Sequence, residues 1–121
     1  MEALTISHVM LGVTDMHRSL DFYRDTLGLT LRQQIPGFAF LECGGVTLAL
    51  SEPVARASQQ LVGASVVVFG VRNVKATYGD LHARGVSFLG EPFNVDGTNW
   101  GANFTDPDGH ILSIFGPEGQ A

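Results

Sequence analysis

Apolar and polar residues at the start of the chain predict a β-strand followed directly by a helix. The strand is expected over residues 6–13, where apolar and β-branched residues dominate. Thr14 or Asp15 can cap the helix, because either side chain can accept a free backbone N–H. Gly28 can end the helix, since glycine readily adopts the left-handed conformation of a helix C-terminus. Between the cap and the stop, apolar side chains recur at helical spacing: Met16, Leu20, Tyr23 and Leu27.

Glycine and proline divide the next stretch into three further predicted strands, which end at about residue 51. The breaks fall at Pro36-Gly37 and Gly44-Gly45, which are typical of turns. Residues 52–63 are polar and contain a proline, so they predict a connection with room for one helical turn.

A second strand and helix follow this connection. β-Branched residues predict a strand over residues 64–71. Asn73 is a natural helix cap and Gly85 a natural stop, with an apolar stripe between them. Three shorter strands are expected near Ser87, Trp100 and Ile114.

The two halves of the chain repeat one another at a fixed offset. Residues 12–16 read Gly-Val-Thr-Asp-Met, and residues 70–74, which lie 58 positions later, read Gly-Val-Arg-Asn-Val. The offset continues into both helices, placing Leu20 against Tyr78, and slips by one residue before the stop glycines. The element order βαβββ therefore occurs twice, which predicts an internal duplication.

Length and composition fit one compact α+β domain built from both modules. The chain has 121 residues, 45% of them hydrophobic, which suits one shared core and leaves no room for a second domain. Mostly antiparallel sheets from two such modules can curl around a common cavity, with helices on the outer faces. We expect a single domain over residues 1–121, with module one over about 5–51, the connection over about 52–63 and module two over about 64–116.

Charge and cysteine content exclude several classes of partner. Twelve acidic and seven basic residues give a net charge of −5, so nucleic acid and anionic membranes would be repelled. No apolar run reaches the length of a bilayer span, and the N-terminus lacks the pattern of a signal peptide. We therefore expect a cytoplasmic protein without nucleic-acid or membrane partners. Cys43 is the only cysteine, so no disulfide can form within the chain, and a small buried side chain is the favoured interpretation.

Three segments closely resemble the vicinal oxygen chelate superfamily, which includes glyoxalases, bleomycin-resistance proteins and extradiol dioxygenases. They are residues 7–16 (SHVMLGVTDM), 19–29 (SLDFYRDTLGL) and 104–110 (FTDPDGH). The resemblance implies two βαβββ modules that form an incompletely closed, eight-stranded cup with helices outside, commonly within a homodimer. It leaves the function open, because the superfamily holds metal-dependent lyases, isomerases, thiol transferases and dioxygenases beside metal-free antibiotic-binding proteins.

The resemblance also implies where metal ligands would lie: on the first and the last strand of each module, pointing into the cup. His8 matches the first position and could offer an imidazole nitrogen to Zn, Ni, Fe or Mn. The three other positions fall on Val66, Ala49 and Ser113, which lack the imidazole or carboxylate that such a site uses.

One imidazole is too few donors for a catalytic metal. A catalytic zinc needs about three protein ligands, and a non-haem iron oxygenase needs two histidines and a carboxylate. The sequence therefore predicts no metal cofactor, with His8 packing in the cup or hydrogen-bonding a ligand. The alternative, one divalent metal held by His8 with help from Glu42 or Glu52, would require a departure from the family geometry.

Strand alternation groups further side chains with His8, because residues two apart on a strand share a face. The resulting wall is mainly apolar, with a few hydroxyls and one imidazole, and suits a neutral or aromatic small molecule. The candidate ligand-binding residues are His8, Met10, Phe40, Thr47, Ala49, Val66, Trp100, Ser113 and Phe115.

The aromatic candidates carry two interpretations each. Trp100 is the sole tryptophan and lies beside Gly101, in a stretch that rims the pocket in relatives; it could stack on a planar ligand or close the edge of the core. Phe38 and Phe40 share one face by alternation, which does not say which face. Core packing is the favoured interpretation for both, with Phe40 kept as a ligand candidate.

Other polar motifs are interpreted structurally. Residues 106–109 read Asp-Pro-Asp-Gly, the composition of a tight turn, rather than of a metal site. His17 and His82 lie on predicted helices and His110 follows the turn, so solvation is favoured over catalysis for all three.

Three hypotheses on function follow. The first is a homodimeric, metal-free protein that sequesters or carries a hydrophobic or aromatic compound, such as an antibiotic or a metabolite. The second is a lyase, isomerase or dioxygenase that uses His8 as a general base or metal ligand. The binding protein is the preferred hypothesis, and enzymatic activity is left open. The third is a non-catalytic subunit whose value lies in a protein contact.

Overall fold

The structure, a computed structural model, describes residue 3, residues 7–57 and residues 66–120. The chain divides into two compact units, residues 1–62 and residues 63–121. The predicted beginnings of the first and fifth strands, at residue 6 and residues 64–65, lie outside the described residues, as does the second half of the predicted connection.

The first unit is a four-stranded sheet with helices. The strands lie in the order β1-β4-β3-β2, with β1 parallel to β4 and the other neighbours antiparallel. The elements are β1 (His8–Gly12), α1 (Met16–Leu20), a π-helical turn (Asp21–Thr26), β2 (Thr30–Ile35), β3 (Phe38–Cys43), β4 (Val46–Ser51) and α2 (Glu52–Ala57).

The second unit repeats this plan with one long helix. Its strands lie in the order β5-β9-β8-β6, with β5 parallel to β9, and β7 also pairs with β8. The elements are β5 (Val67–Gly70), α3 (Val74–Ala83), β6 (Ser87–Phe88), β7 (Phe93–Asn94), β8 (Asn99–Thr105) and β9 (Ile111–Pro117). One more strand is described here than the sequence predicted, because Pro92, which lacks an N–H, separates β6 from β7.

Equivalent caps begin the two main helices, as the repeat predicts. Asp15 Oδ1 accepts the N–H of Arg18 at 3.1 Å, and Asn73 Oδ1 accepts the N–H of Ala76 at 2.9 Å. Of the two predicted candidates for the first cap, the structure selects Asp15. Each cap satisfies one backbone donor that the first helical turn leaves without a partner.

The π-helical turn explains why the repeat slips by one residue. The N–H of Leu27 donates to the carbonyl of Phe22, five residues earlier, at 2.9 Å. A π-turn fits one more residue into a helix than an α-turn does. The first helix therefore reaches its stop, Gly28 at φ +82°, one residue later than the second reaches Gly85 at φ +88°.

Each helix buries its apolar stripe against one face of its own sheet. In the first unit Leu20 and Tyr23 are buried, as are the strand residues Leu41 and Leu50. In the second unit the buried hydrophobic residues are Val74, Leu81, Val86, Ala102, Phe104, Leu112 and Ile114. The α+β class and the two βαβββ modules are thus confirmed. No helix within the described ranges is long and apolar enough to cross a membrane.

Candidate functional site

Strand register places His8 on the sheet face opposite the one that packs on α1. His8 lies opposite Thr47, and Met10 lies opposite Ala49, in the parallel pair of β1 with β4. Phe40 lies opposite the same Ala49 from the other side. Paired residues share a face, so these five candidates lie together. We call this surface the His8 face: His8, Met10, Phe38, Phe40, Glu42, Thr47, Ala49 and Ser51.

Aromatic rings form the middle of the His8 face. The Phe38 and Phe40 rings are nearly parallel, with centroids 6.4 Å apart and planes at 10°. The His8 ring meets Phe40 edge-on, with centroids 6.3 Å apart and planes at 85°. Both phenylalanines are half-buried. Ala39 and Leu41, which alternate with them along β3, are fully buried in the core. The core-packing interpretation of Phe38 and Phe40 was therefore wrong: alternation put Ala39 and Leu41 on the helix side instead.

Helix α2 closes one end of the His8 face. A Cβ on Gly12 would lie 2.9 Å from backbone atoms of Ala55, so only glycine lets the helix approach this closely. The hydroxyl of Ser51, which is fully buried, accepts the N–H of Val54 at 3.1 Å. At the other end His8 is exposed, and its Nδ1 lies 3.0 Å from the Ser7 hydroxyl.

The corresponding face of the second sheet has Ser113 at its centre. Ser113 lies opposite Val68 on one side and Asn103 on the other, and Phe115 lies opposite Gly70. The Ser113 hydroxyl is buried and donates to the carbonyl of Ala102 at 3.2 Å. Val66 directly precedes β5 and is 48% exposed. This surface, the Ser113 face, consists of Val66, Val68, Asn103, Ile111, Ser113 and Phe115.

Register supports the sequence alignment of the two modules. Val9 pairs with Leu48 in the first sheet, and its repeat equivalent Val67 pairs with Leu112 in the second. The next residues on those last strands, Ala49 and Ser113, therefore occupy equivalent places. These are the two positions where the resemblance implies carboxylate ligands.

The donor set of the described residues does not fit a catalytic metal. No group of three or more His, Cys, Asp or Glu side chains within those residues could hold an ion. Glu42 is in the same cross-strand row as His8, but Thr47 lies between them, so their backbones are about 10 Å apart. Glu42 Oε2 also accepts the N–H of Gly45 at 2.6 Å, which holds it at its own hairpin.

Glu52, the other carboxylate considered for a metal site, caps a helix instead. Its Oε2 accepts the N–H of Met16, the first residue of α1, at 3.3 Å. Negative charge is favoured at a helix N-terminus, because the free N–H groups there carry partial positive charge. No local sequence pattern predicts this contact, because it joins residues 36 positions apart.

Trp100 does not lie with the other candidates, which corrects its assignment to the same pocket wall. It pairs with Gly116, so it shares a face with Ala102 and Phe104 and not with Ser113 and Phe115. The Nζ of Lys75, on α3, lies 5.9 Å from the centre of the indole ring. Trp100 therefore lies half-buried on the helix side of its sheet.

The remaining polar motifs are structural, as the sequence predicts. Asp106 Oδ1 accepts the N–H groups of Asp108 and His110 at 3.0 and 2.8 Å, and Gly109 has φ +87°. Asp106 is buried, so the Asp-Pro-Asp-Gly motif is a tight turn held by its own first side chain. His17 and His82 are exposed on their helices.

Cys43 is partly buried at the end of β3. Burial raises the pKa of its thiol above the ordinary value, and the neighbouring Glu42 carboxylate raises it further. A raised pKa keeps the sulfur protonated at neutral pH, which makes it a weak nucleophile. Cys43 is thus less buried than the sequence predicted.

These features define a class of small α+β proteins: two βαβββ repeats, each with a helix on one sheet face and candidate ligand residues on the other. The sequence profile of the Glyoxalase/Bleomycin resistance protein/Dioxygenase superfamily matches residues 5–114, and the chain belongs to this superfamily. The match covers both modules, so the resemblance seen in the sequence is confirmed.

Individual relatives agree with this assignment. The chain is 28% identical to YraH of Bacillus subtilis over 127 residues, which covers 93% of this chain and 98% of that protein. It is also 28% identical to the glutathione transferase FosA of Serratia marcescens over 112 residues, covering 91% and 79% of the two chains. The crystal structure of a glyoxalase/bleomycin resistance protein/dioxygenase from Nocardioides matches with a TM-score of 0.77 and 28% identity, over 100% of this chain and 91% of that one.

Proposed function

We propose that the protein binds a neutral, planar aromatic or hydrophobic small molecule on its His8 face without a metal. The observation that supports this most is the aromatic layer of Phe38, Phe40 and His8. A flat aromatic ligand can stack on these rings in an offset arrangement, and it buries apolar surface when it does so. The exposed His8 imidazole can donate or accept a hydrogen bond from a polar substituent.

The other candidates on the His8 face shape the proposed site. Met10 adapts to irregular apolar surfaces, Thr47 offers a hydroxyl, and Ala49 leaves room beside Phe40. We propose that Val66, Ser113 and Phe115 form a second mainly apolar surface, the Ser113 face, on the second unit. Trp100 is left out of this proposal, because it lies on the face of its own sheet opposite Ser113.

We further propose that the protein acts as a homodimer in the cytoplasm, on an antibiotic or a metabolite. These expectations come from the family resemblance and from the acidic composition of the chain. Sequestration requires only shape and stacking, which agrees with an apolar wall that offers few polar groups.

Calorimetric titration with 2-naphthol tests the proposed site, with cyclohexanol as the non-planar comparison. We expect saturable binding of 2-naphthol that weakens about tenfold in Phe40→Leu, since a ring contact of about 1 kcal/mol and the lost contact area act together. Phe22→Leu is the control, because Phe22 packs edge-on against Tyr23 at the helix and not on the His8 face. Equal affinity in the Phe40 and Phe22 variants would contradict the proposal.

A metal-dependent activity is the second candidate, and the similarity to a protein named as a glutathione transferase favours an enzymatic function. Elemental analysis of protein purified without chelator distinguishes the two. The binding proposal predicts no stoichiometric transition metal, whereas the alternative predicts about one ion per site, lost in His8→Ala. If neither ligand nor metal binds, a role as a non-catalytic interaction subunit becomes the better account.

A further inference from the structure

A cleft of about 490 Å³ lies in the second unit, on the helix side of β8. Trp100 and Tyr78 provide aromatic walls, and Pro92 adds apolar surface. Three charged side chains complete it: Lys75, Glu91 and Glu118. Since Trp100 and the Ser113 face lie on opposite sides of the sheet, this cleft is separate from the Ser113 face.

In this cleft the indole ring of Trp100 is already in contact with a positively charged group, the ammonium of Lys75. The Lys75 ammonium lies 5.9 Å from the ring centre, within the range in which a cation is attracted to an aromatic face. The same Nζ lies 2.9 Å from Glu118 Oε2. Lys75 is thus held between an indole and a carboxylate, which is the arrangement that recognises an ammonium group.

Backbone contacts fix this arrangement. The N–H of Lys75 donates to the carbonyl of Glu118 at 2.9 Å, and the Asn73 amide donates to the carbonyl of Gln120 at 3.0 Å. These bonds tie the segment after β9 to the first turn of α3. The carboxylate of Glu118 therefore projects from a fixed backbone and not from a loose end.

Glu91 supplies a second carboxylate at the cleft. Within the described ranges no ion pair or hydrogen bond of its side chain is found, and it is exposed. It also lines a neighbouring cleft of about 440 Å³, which shares Tyr78 and contains Phe88. The Tyr78 and Phe88 rings lie 4.5 Å apart, so aromatic surface continues from one cleft into the other.

The charge of this lining favours a cation. Lys75 is neutralised by Glu118, which leaves Glu91 as the excess charge beside two electron-rich rings. An anionic ligand would have to displace Glu118 from Lys75 and then lie close to two carboxylates. A cationic ligand meets an unoccupied carboxylate and aromatic faces, and both attract it.

We propose that this cleft binds an organic cation with a flat apolar body, such as an aromatic ammonium compound. The ammonium group contacts Glu91 and the apolar body packs on Trp100 and Tyr78. Lys75 competes for the same indole face and for Glu118, so it limits the affinity.

The single tryptophan allows a direct test on the full-length protein. Trp100 fluorescence is titrated with benzyltrimethylammonium at constant ionic strength, with benzyl alcohol and phenylacetate as neutral and anionic comparisons. We expect saturable quenching by the cation alone. Glu91→Gln should weaken binding at least about fivefold, and Lys75→Met should strengthen it about threefold, since the competing ammonium is gone. Calorimetry repeats the measurement wherever a variant changes the tryptophan emission itself.

A control variant isolates the cleft. Asp80→Asn removes a carboxylate from the same helix outside the cleft lining and should not change the affinity for the cation by more than about twofold. Absence of saturable quenching would overturn the proposal. Stronger binding of phenylacetate that Lys75→Met abolishes would replace it with an anion site, and equal binding of benzyl alcohol would reduce it to an apolar cleft.

Discussion

Gly12 and Gly70 occupy equivalent positions in the two repeats, yet only Gly12 is closely packed against another element. A Cβ on Gly12 would meet Ala55 of α2 at 2.9 Å, whereas a Cβ on Gly70 has no neighbour within 4 Å in the part of the chain that the structure describes. We expect Gly12→Ala to lower the free energy of unfolding by about 1–3 kcal/mol, because the helix must move. Gly70→Ala is the matched control and should change it by less than about 0.5 kcal/mol.

Urea unfolding followed by far-ultraviolet circular dichroism measures both values. Equal destabilisation by the two substitutions would show that α2 does not rest on Gly12. The comparison is sharp because the residue type and the position in the repeat are identical.

Asp96 provides a prediction on pH at the residue scale. Its carboxylate accepts the backbone N–H and the side-chain amide of Asn99 and the N–H of Thr98, and these bonds hold its pKa below the ordinary value. Since the folded pKa is the lower one, the stabilisation is present above the unfolded pKa and is lost as the pH falls through the folded pKa. We expect the turn over residues 94–99 to open only in acid below the ordinary titration range of aspartate.

NMR titration of the Asp96 carboxyl carbon, together with the amide signals of Thr98 and Asn99, measures this effect. In the natural protein the chemical shifts of these amides should change with pH at the same midpoint as the Asp96 carboxyl carbon. Asp96→Asn should abolish this pH dependence. A midpoint at or above the ordinary aspartate value of 3.8 would show that these hydrogen bonds are absent in solution.

Individual side chains were predictable where alternation alone decided the outcome. His8 with Met10, Thr47 with Ala49, and Ser113 with Phe115 share faces as predicted. Phe38 and Phe40 were interpreted as core residues, because alternation puts both on one face without naming the inner one. For Trp100 the sequence left ligand stacking and the edge of the core open, and strand register places it on the helix side of its sheet.

Helix beginnings and ends are the elements that the sequence predicts best. Caps and stop glycines act through local hydrogen bonds and local backbone angles, so they depend on few residues. The π-helical turn between α1 and Gly28 was visible only as a slip in the repeat, and its hydrogen bond identified the cause.

A deletion tests this account of the π-turn. Removing the exposed Asp25 should convert the turn Asp21–Thr26 into an α-helical one and bring the first helix into step with the second. We expect a folded protein destabilised by no more than about 1 kcal/mol. Removing Ala83 is the control: α3 has no extra residue to lose, so the buried Val86 is displaced and more than about 2 kcal/mol is expected to be lost.

Thermal unfolding of the two deletions gives the comparison. Similar losses in both would mean that the π-turn is required by its surroundings and is not an inserted residue.

At the scale of the whole molecule, the homodimer proposal predicts a molar mass in solution of about twice the 13.0 kDa chain mass. Light scattering coupled to gel filtration, at two protein concentrations, measures it. A reductant is included because Cys43 is only partly buried and could link chains through a disulfide. A mass equal to one chain at both concentrations would contradict the dimer.

The sequence by itself determined the duplicated βαβββ plan, the caps and stops of the helices and which residues occupy the positions where the resemblance implies metal ligands. Each depends on residue identity or on spacing along the chain, which a sequence displays directly. Tertiary structure alone decided that Phe38 and Phe40 lie on the same sheet face as His8, that Glu52 caps α1, and that Trp100 lies with Lys75 on the helix side of its sheet. Those outcomes depend on strand pairing and on contacts between residues that are distant in the sequence. A local sequence pattern does not indicate which of these contacts form.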